Sequence, residues 1–70
     1  MIAIEPIAVD REQAAALLSL SLSSLAARVR DGTLPQPRKI GGRAVWLVRE
    51  LKEAAESLPV SDLLPPPKSQ

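Results

Sequence analysis

The sequence predicts a small α+β fold, mostly helical: two short helices joined by a tight turn, a two-stranded β-ribbon, and a last helix. Three observations predict it. Apolar residues recur at helical spacing in three separate stretches, residues 14–18, 22–29 and 48–58. Between the second and third stretches stand Pro35 and Pro37, which a helix interior rejects. Gly41-Gly42 then divides two short runs of strand formers, the sequence form of a tight hairpin.

The first helix opens at Asp10. Its carboxylate can accept the unpaired N–H three residues on, and Gln13 can reach back, which makes a D-x-x-Q capping box. Val9 before the cap and Ala14 inside it fit a hydrophobic staple. Helix one is predicted over residues 11–18, with Ala14, Leu17 and Leu18 on its inward face. Ahead of it, residues 1–6 form a lead-in, with Ile2, Ile4 and Ile7 available as apolar anchors or a short edge strand.

Ser19-Leu20-Ser21 breaks the pattern, and Ser21 reads as a second N-cap. Helix two is predicted over residues 22–30, burying Leu22, Leu25, Ala26 and Val29 and ending at Gly32, which suits a left-handed residue beyond a helix end. Arg30 in its last turn complements the helix dipole. After the prolines, Ile40, Val45 and Leu47 favour strands around the Gly-Gly turn, with Arg43 near the tip. A lone hairpin is marginal in water and must lean on the helices, and Trp46 is the natural anchor. The last helix is predicted over residues 49–58, with Val48, Leu51, Ala55 and Leu58 inward, Glu50 and Glu53 near its positive end, and Pro59 as its stop. Helix, turn, helix, hairpin, helix is the layout of a small winged helix-turn-helix, here residues 1–58, followed by a Pro-rich C-terminal tail at 59–70. Leu63-Leu64 before three prolines in that tail also suits a docking motif.

Composition narrows the chemistry. Seventy residues make one domain. The chain has no Cys and no His, which removes thiolate sites and the commonest acid–base group, so the expectation is a protein that is not an enzyme and takes no cofactor. Trp46 is the sole aromatic, too few for the stacking platforms of single-strand binders. No apolar run approaches membrane-spanning length and no signal-like segment opens the chain, which predicts a cytoplasmic, nucleoid-associated protein without membrane or small-molecule partners. Charge is uneven. Arg28, Arg30, Arg38, Lys39 and Arg43 face only Asp31 within sixteen residues, a local net of +4 in a chain whose total is +1. Such a segment is either a solvated loop or a docking face for an anionic polymer.

Residues 10–58 resemble the AlpA/excisionase family of MerR-like helix-turn-helix proteins of phages and mobile elements. The residues that carry the likeness are the stretch from Val9 to Ala14, Leu18-Ser19-Leu20-Ser21, Gly32-Thr33-Leu34-Pro35-Gln36-Pro37, and Arg38-Lys39-Ile40-Gly41-Gly42-Arg43-Ala44-Val45-Trp46. The resemblance implies double-stranded DNA binding, with the second helix in the major groove and the hairpin wing at the adjacent minor groove. It also implies a site-specific integrase as partner. The chain departs from the family pattern at Leu22, where Arg is frequent, and at Ala26 and Ala27, which replace aromatic and basic positions. Ala54 stands where a second Trp is common, and Val48-Arg49 lacks a capping side chain. The first departures thin out base readout; the last two predict a less stable third helix.

The DNA-binding residues expected on this basis are Ser21, Ser23 and Ser24, whose hydroxyls and helix-end N–H groups suit a phosphate oxygen. Ser24 and Ala27 are candidates for base edges, and Arg28, on the polar face, for guanine or phosphate. Arg30 is expected on backbone phosphate or at the helix end. Arg43 is expected in the minor groove, Gly42 (with Gly41) allows close approach, and Arg38 and Lys39 flank as phosphate contacts. Five phosphate contacts would give a salt slope of roughly −4 to −5 in log–log form. The expected function is an excisionase, or recombination directionality factor, that binds repeated sites cooperatively, self-associates along DNA and bends it. A small transcriptional regulator would use the same contacts. A protein-interaction module with a decayed readout helix is the reading from another class.

Overall fold

The computed structural model describes residues 5–60. Ile2, Ile4 and the tail motif at Leu63-Leu64 lie outside the described residues. The elements run β1 (Ala8–Val9), α1 (Arg11–Leu17), α2 (Leu22–Arg30), β2 (Arg38–Ile40), β3 (Arg43–Leu47) and α3 (Val48–Glu56). The fold is therefore α+β, with three helices and one antiparallel sheet of order β1-β3-β2 among the described residues. None of these helices is long and apolar enough to cross a membrane.

α1 begins as its sequence dictates. The Asp10 carboxylate accepts the Gln13 N–H at 2.8 Å, and the Gln13 side chain accepts the Asp10 N–H at 3.1 Å. Its end uses a device that the sequence pattern does not announce. Ser19 adopts a left-handed φ of 59°, and the N–H groups of Ser19 and Leu20 return to the carbonyls of Ala16 and Ala15 at 3.1 and 2.8 Å. That is a Schellman closure on a residue other than glycine. α2 starts one residue beyond Ser21, whose hydroxyl accepts the Ser24 N–H at 3.1 Å. It closes on Gly32 at φ +86°, whose N–H bonds the Val29 carbonyl.

The ribbon turns at Gly41 and Gly42, both at positive φ, as a two-residue type I′ connection requires. Its register pairs Arg38 with Val45, Lys39 with Ala44 and Ile40 with Arg43. The expected two-stranded ribbon gains a third strand: β1 pairs Ala8 with Leu47 and Val9 with Trp46. The strand falls at Ala8–Val9 and not on the isoleucines. Ile7 is 82% exposed, because it lies past the pair at Leu47, where β3 has already given way to α3.

Val9, Ala14, Ala15, Leu25, Leu34, Trp46 and Leu51 form the core. Trp46 is the anchor expected of it, 5% exposed, with its indole N–H donating to the Pro35 carbonyl at 3.0 Å. Three helix faces differ from expectation. On α1, Ala14 and Ala15 are both buried, so the inward direction passes between them and over Leu18, while Leu17 is left 60% exposed. On α2 only Leu25 is fully buried, with Val29 partly packed, and Leu22 and Ala26 face solvent. On α3 the core meets Val48, Leu51 and Ala54 in place of Ala55 and Leu58. Ala54 and Ala55 are both about one turn beyond Leu51, so spacing alone does not choose between them. The helix ends at Glu56, with Ser57 as its cap, which leaves Leu58 outside it.

Candidate nucleic-acid interface

The N-terminus of α2 presents three linked hydroxyls. Ser21 Oγ accepts the helix N–H of Ser24 and donates to Ser24 Oγ at 3.0 Å, and Ser23 Oγ lies 3.3 Å from Ser21 Oγ. All three serines are exposed. With its oxygen already accepting a proton from Ser21, the Ser24 hydroxyl keeps its own proton for an outside acceptor.

Farther along α2 the two arginines part company. At 100° per residue Arg28 lies only about 60° from Leu25, whereas Arg30 lies about 140° away. Arg28 is exposed but stands on the flank of α2, lining a cavity of about 460 Å³ with Leu18, Leu20, Thr33, Leu34, Leu58 and Pro59. There its guanidinium pairs with Asp31 at 3.1 Å. Asp31 is held ionised by Thr33, whose hydroxyl and N–H donate to it at 2.6 and 2.9 Å, and by the arginines beside it. These partners keep its carboxyl below the ordinary value of 3.8. Ala27, the expected thymine-methyl contact, is half-buried, and Ala26 beside it is exposed.

On the ribbon, directly opposed residues share a face. Lys39, Ala44 and Trp46 therefore lie on one side, and Arg38, Ile40, Arg43 and Val45 on the other. Arg38 and Lys39 do not flank a single point. Arg38 reaches α3 and donates to the Glu50 carboxylate. Arg43 stands at the tip with its side chain 72% exposed, 3.9 Å from Asp10 at the start of α1. Gly42 holds φ +87°, and a Cβ there would meet open space, so the turn is bare on its outer side.

Ion pairing regroups the cations. Among the described residues Arg28, Arg38, Arg43, Arg49 and Lys52 lie within salt-bridge distance of a carboxylate; Arg11, Arg30 and Lys39 do not, and Arg30 acts on Asp31 only at longer range. Arg11 is a residue that sequence reasoning does not single out. It shares with Ala14, Ala15 and Leu18 the i, i+3, i+4, i+7 stripe of α1, so a charge opens the row that the core buries. Arg11 and Arg30 line one cleft of about 470 Å³, with Leu25, Ala26, Val29, Gln36, Pro37 and Trp46. Lys39 lies on the Trp46 side of the ribbon, so the three unpaired cations occupy the side where α1, α2 and the ribbon meet. No family model, curated protein or solved structure matches this chain.

Proposed function

We propose that this protein binds double-stranded DNA as a small winged helix-turn-helix, with α2 in the major groove and the ribbon tip at the neighbouring minor groove. One observation carries the reading. A bare Gly41-Gly42 turn holds Arg43 in solvent beside a tightly joined helix pair whose second helix offers exposed hydroxyls at its start. A guanidinium on a narrow turn suits the negative potential of a minor groove, and the hydroxyls suit phosphate. The sequence resemblance extends the proposal to an excisionase of the AlpA type, which binds repeated sites, bends the DNA and assists a site-specific integrase. Such a protein cuts nothing itself, which agrees with a chain that offers no His or Cys.

A small transcriptional regulator is the second reading, because it needs the same contacts. The test is to incubate the purified protein with sheared DNA from its own source and sequence what is retained. Enrichment beside a recombination attachment site is the expected result, and promoter enrichment would move the assignment to the regulator. No enrichment at low salt would remove DNA binding and leave the protein-interaction module, which the exposed Leu17 and Leu58 would then favour.

A further inference from the structure

We infer that the cleft between α1, α2 and the ribbon is a phosphate grip, in which Arg11 and Arg30 hold one backbone phosphate of the duplex between them. The inference rests on the duplex-binding reading and adds to it a contact from α1. Arg11 and Arg30 line one cleft and neither forms a salt bridge among the described residues, Arg30 acting on Asp31 only at longer range, although most of the chain's other cations are paired. Left alone, two like charges on one cleft repel, so an anion between them lowers the energy of the arrangement. The remaining lining is largely apolar, with Leu25, Val29, Pro37 and Trp46. Apolar walls lower the local dielectric and strengthen an ion–phosphate contact.

For two cations on one cleft, a phosphodiester is a better match than a single carboxylate. It presents two non-bridging oxygens in different directions, one for each planar fork. The cleft also opens beside Ala26 and Arg30 on the exposed side of α2, so a duplex lying along that helix would bring its backbone to the cleft mouth. Arg28 and Arg38, by contrast, must give up Asp31 and Glu50 before they can serve DNA.

The test measures duplex affinity against salt by fluorescence anisotropy, with a labelled random-sequence duplex, for the full chain and its variants. Removing one phosphate partner should flatten the log–log slope by about 0.9. Because the two guanidiniums share one phosphate, the Arg11→Gln/Arg30→Gln double variant should flatten it by that amount and either single variant by less. Arg49→Gln, which lies on α3 and pairs with Glu53, should leave the slope unchanged. A second readout is independent of affinity. The indole N–H of Trp46, a side chain that lines the cleft, should shift in the NMR spectrum when duplex is added to the wild type and stay still in the double variant. If the double variant binds duplex with the wild-type slope, the grip is wrong and the DNA reading stands. If the wild type binds no duplex at low salt, both fail, and retention of poly-L-glutamate through Arg11 and Arg30 would assign the cleft to an acidic protein.

Discussion

α2 and α3 are each nine residues long and each fully buries one leucine, Leu25 and Leu51, yet they take their order from different places. α2 is closed by its own neighbourhood. Ser21 caps its start, Gly32 and Asp31 close its end, and the Leu34 N–H returns to the Arg28 carbonyl. α3 has no capping side chain at Leu47. Its first N–H, on Val48, instead bonds the Ile7 carbonyl at 2.9 Å, and Lys52 and Glu50 are tied to Glu5 and Arg38. One helix is thus specified locally and the other by the sheet it follows. The difference has a functional side under the proposed reading. The helix offered to DNA keeps its shape without help, and the helix that braces the ribbon through Arg38–Glu50 depends on distant chain.

The largest effect should come from Trp46, which shares the core with Leu25 of α2 and Leu51 of α3. Trp46→Ala removes the central side chain of the core and should cost about 3–5 kcal/mol, a large part of what a small domain possesses. Urea denaturation would give the loss, and amide exchange should show α2 and α3 losing protection together. Persisting protection in α2 alone would mean that its local caps suffice, which would widen the contrast between the helices. Next, deleting residues 1–7 removes the Ile7 carbonyl and Glu5. The orphaned Val48 N–H and the missing strand end should cost about 2 kcal/mol. Exchange should rise across α3 and stay low in α2. Equal losses in both helices would break the comparison.

Smaller still, Ser21→Ala should cost about 1 kcal/mol, a fall in Tm of roughly 4–8 °C, with faster exchange in the first turn of α2 only. Ser19→Gly runs the other way. A left-handed φ of 59° is strained for serine and not for glycine, so thermal melting should rise by a few degrees at most.

The same contrast explains what is legible in the sequence. α2 is bounded correctly at Leu22 and Arg30 because Ser21 and Gly32, the residues that stop it, adjoin it. α3 differs from its expected span by one residue at its start and two at its end, because its N-terminal partner is Ile7, at the other end of the described chain. The position of β1 escapes sequence reading for a similar reason: a short edge strand is expected near the isoleucines, and a strand of two residues, Ala8–Val9, carries no period to place it. In the candidate site, Arg43 at the tip is legible from Gly41-Gly42, since a two-residue turn fixes the register around it. The partition of the arginines is not. Leu22, Leu25, Ala26 and Val29 span a broad arc of α2, and only packing selects Leu25 as its centre, which sends Arg28 to the flank and Arg30 outward. Arg11 escapes notice because a charge in a first turn reads as solvated unless the stripe behind it is already known to be buried.

The smallest effect concerns acid, and it belongs to the locally closed helix. Asp31 is exposed, so its contribution is modest, but Thr33 and then the neighbouring arginines hold its folded-state pKa below 3.8. The unfolded chain therefore binds this proton more readily than the native one. The stabilisation from Asp31 is complete above the unfolded value and is lost as pH falls through the lower folded value. Urea midpoints followed from neutral pH down to about pH 2 should show the wild type losing more than Asp31→Asn does once the pH falls below the unfolded value. Above it the two curves should run parallel, because the wild-type carboxylate stays ionised there and Asn does not titrate. Under the DNA-binding reading the same substitution frees Arg28 from its only partner among the described residues and should tighten duplex binding at low salt. An acid limb identical in the two proteins would mean that the end of α2 is held by Gly32 and Leu34 without Asp31, and weaker duplex binding would mean that Asp31 positions Arg28 and does not compete for it.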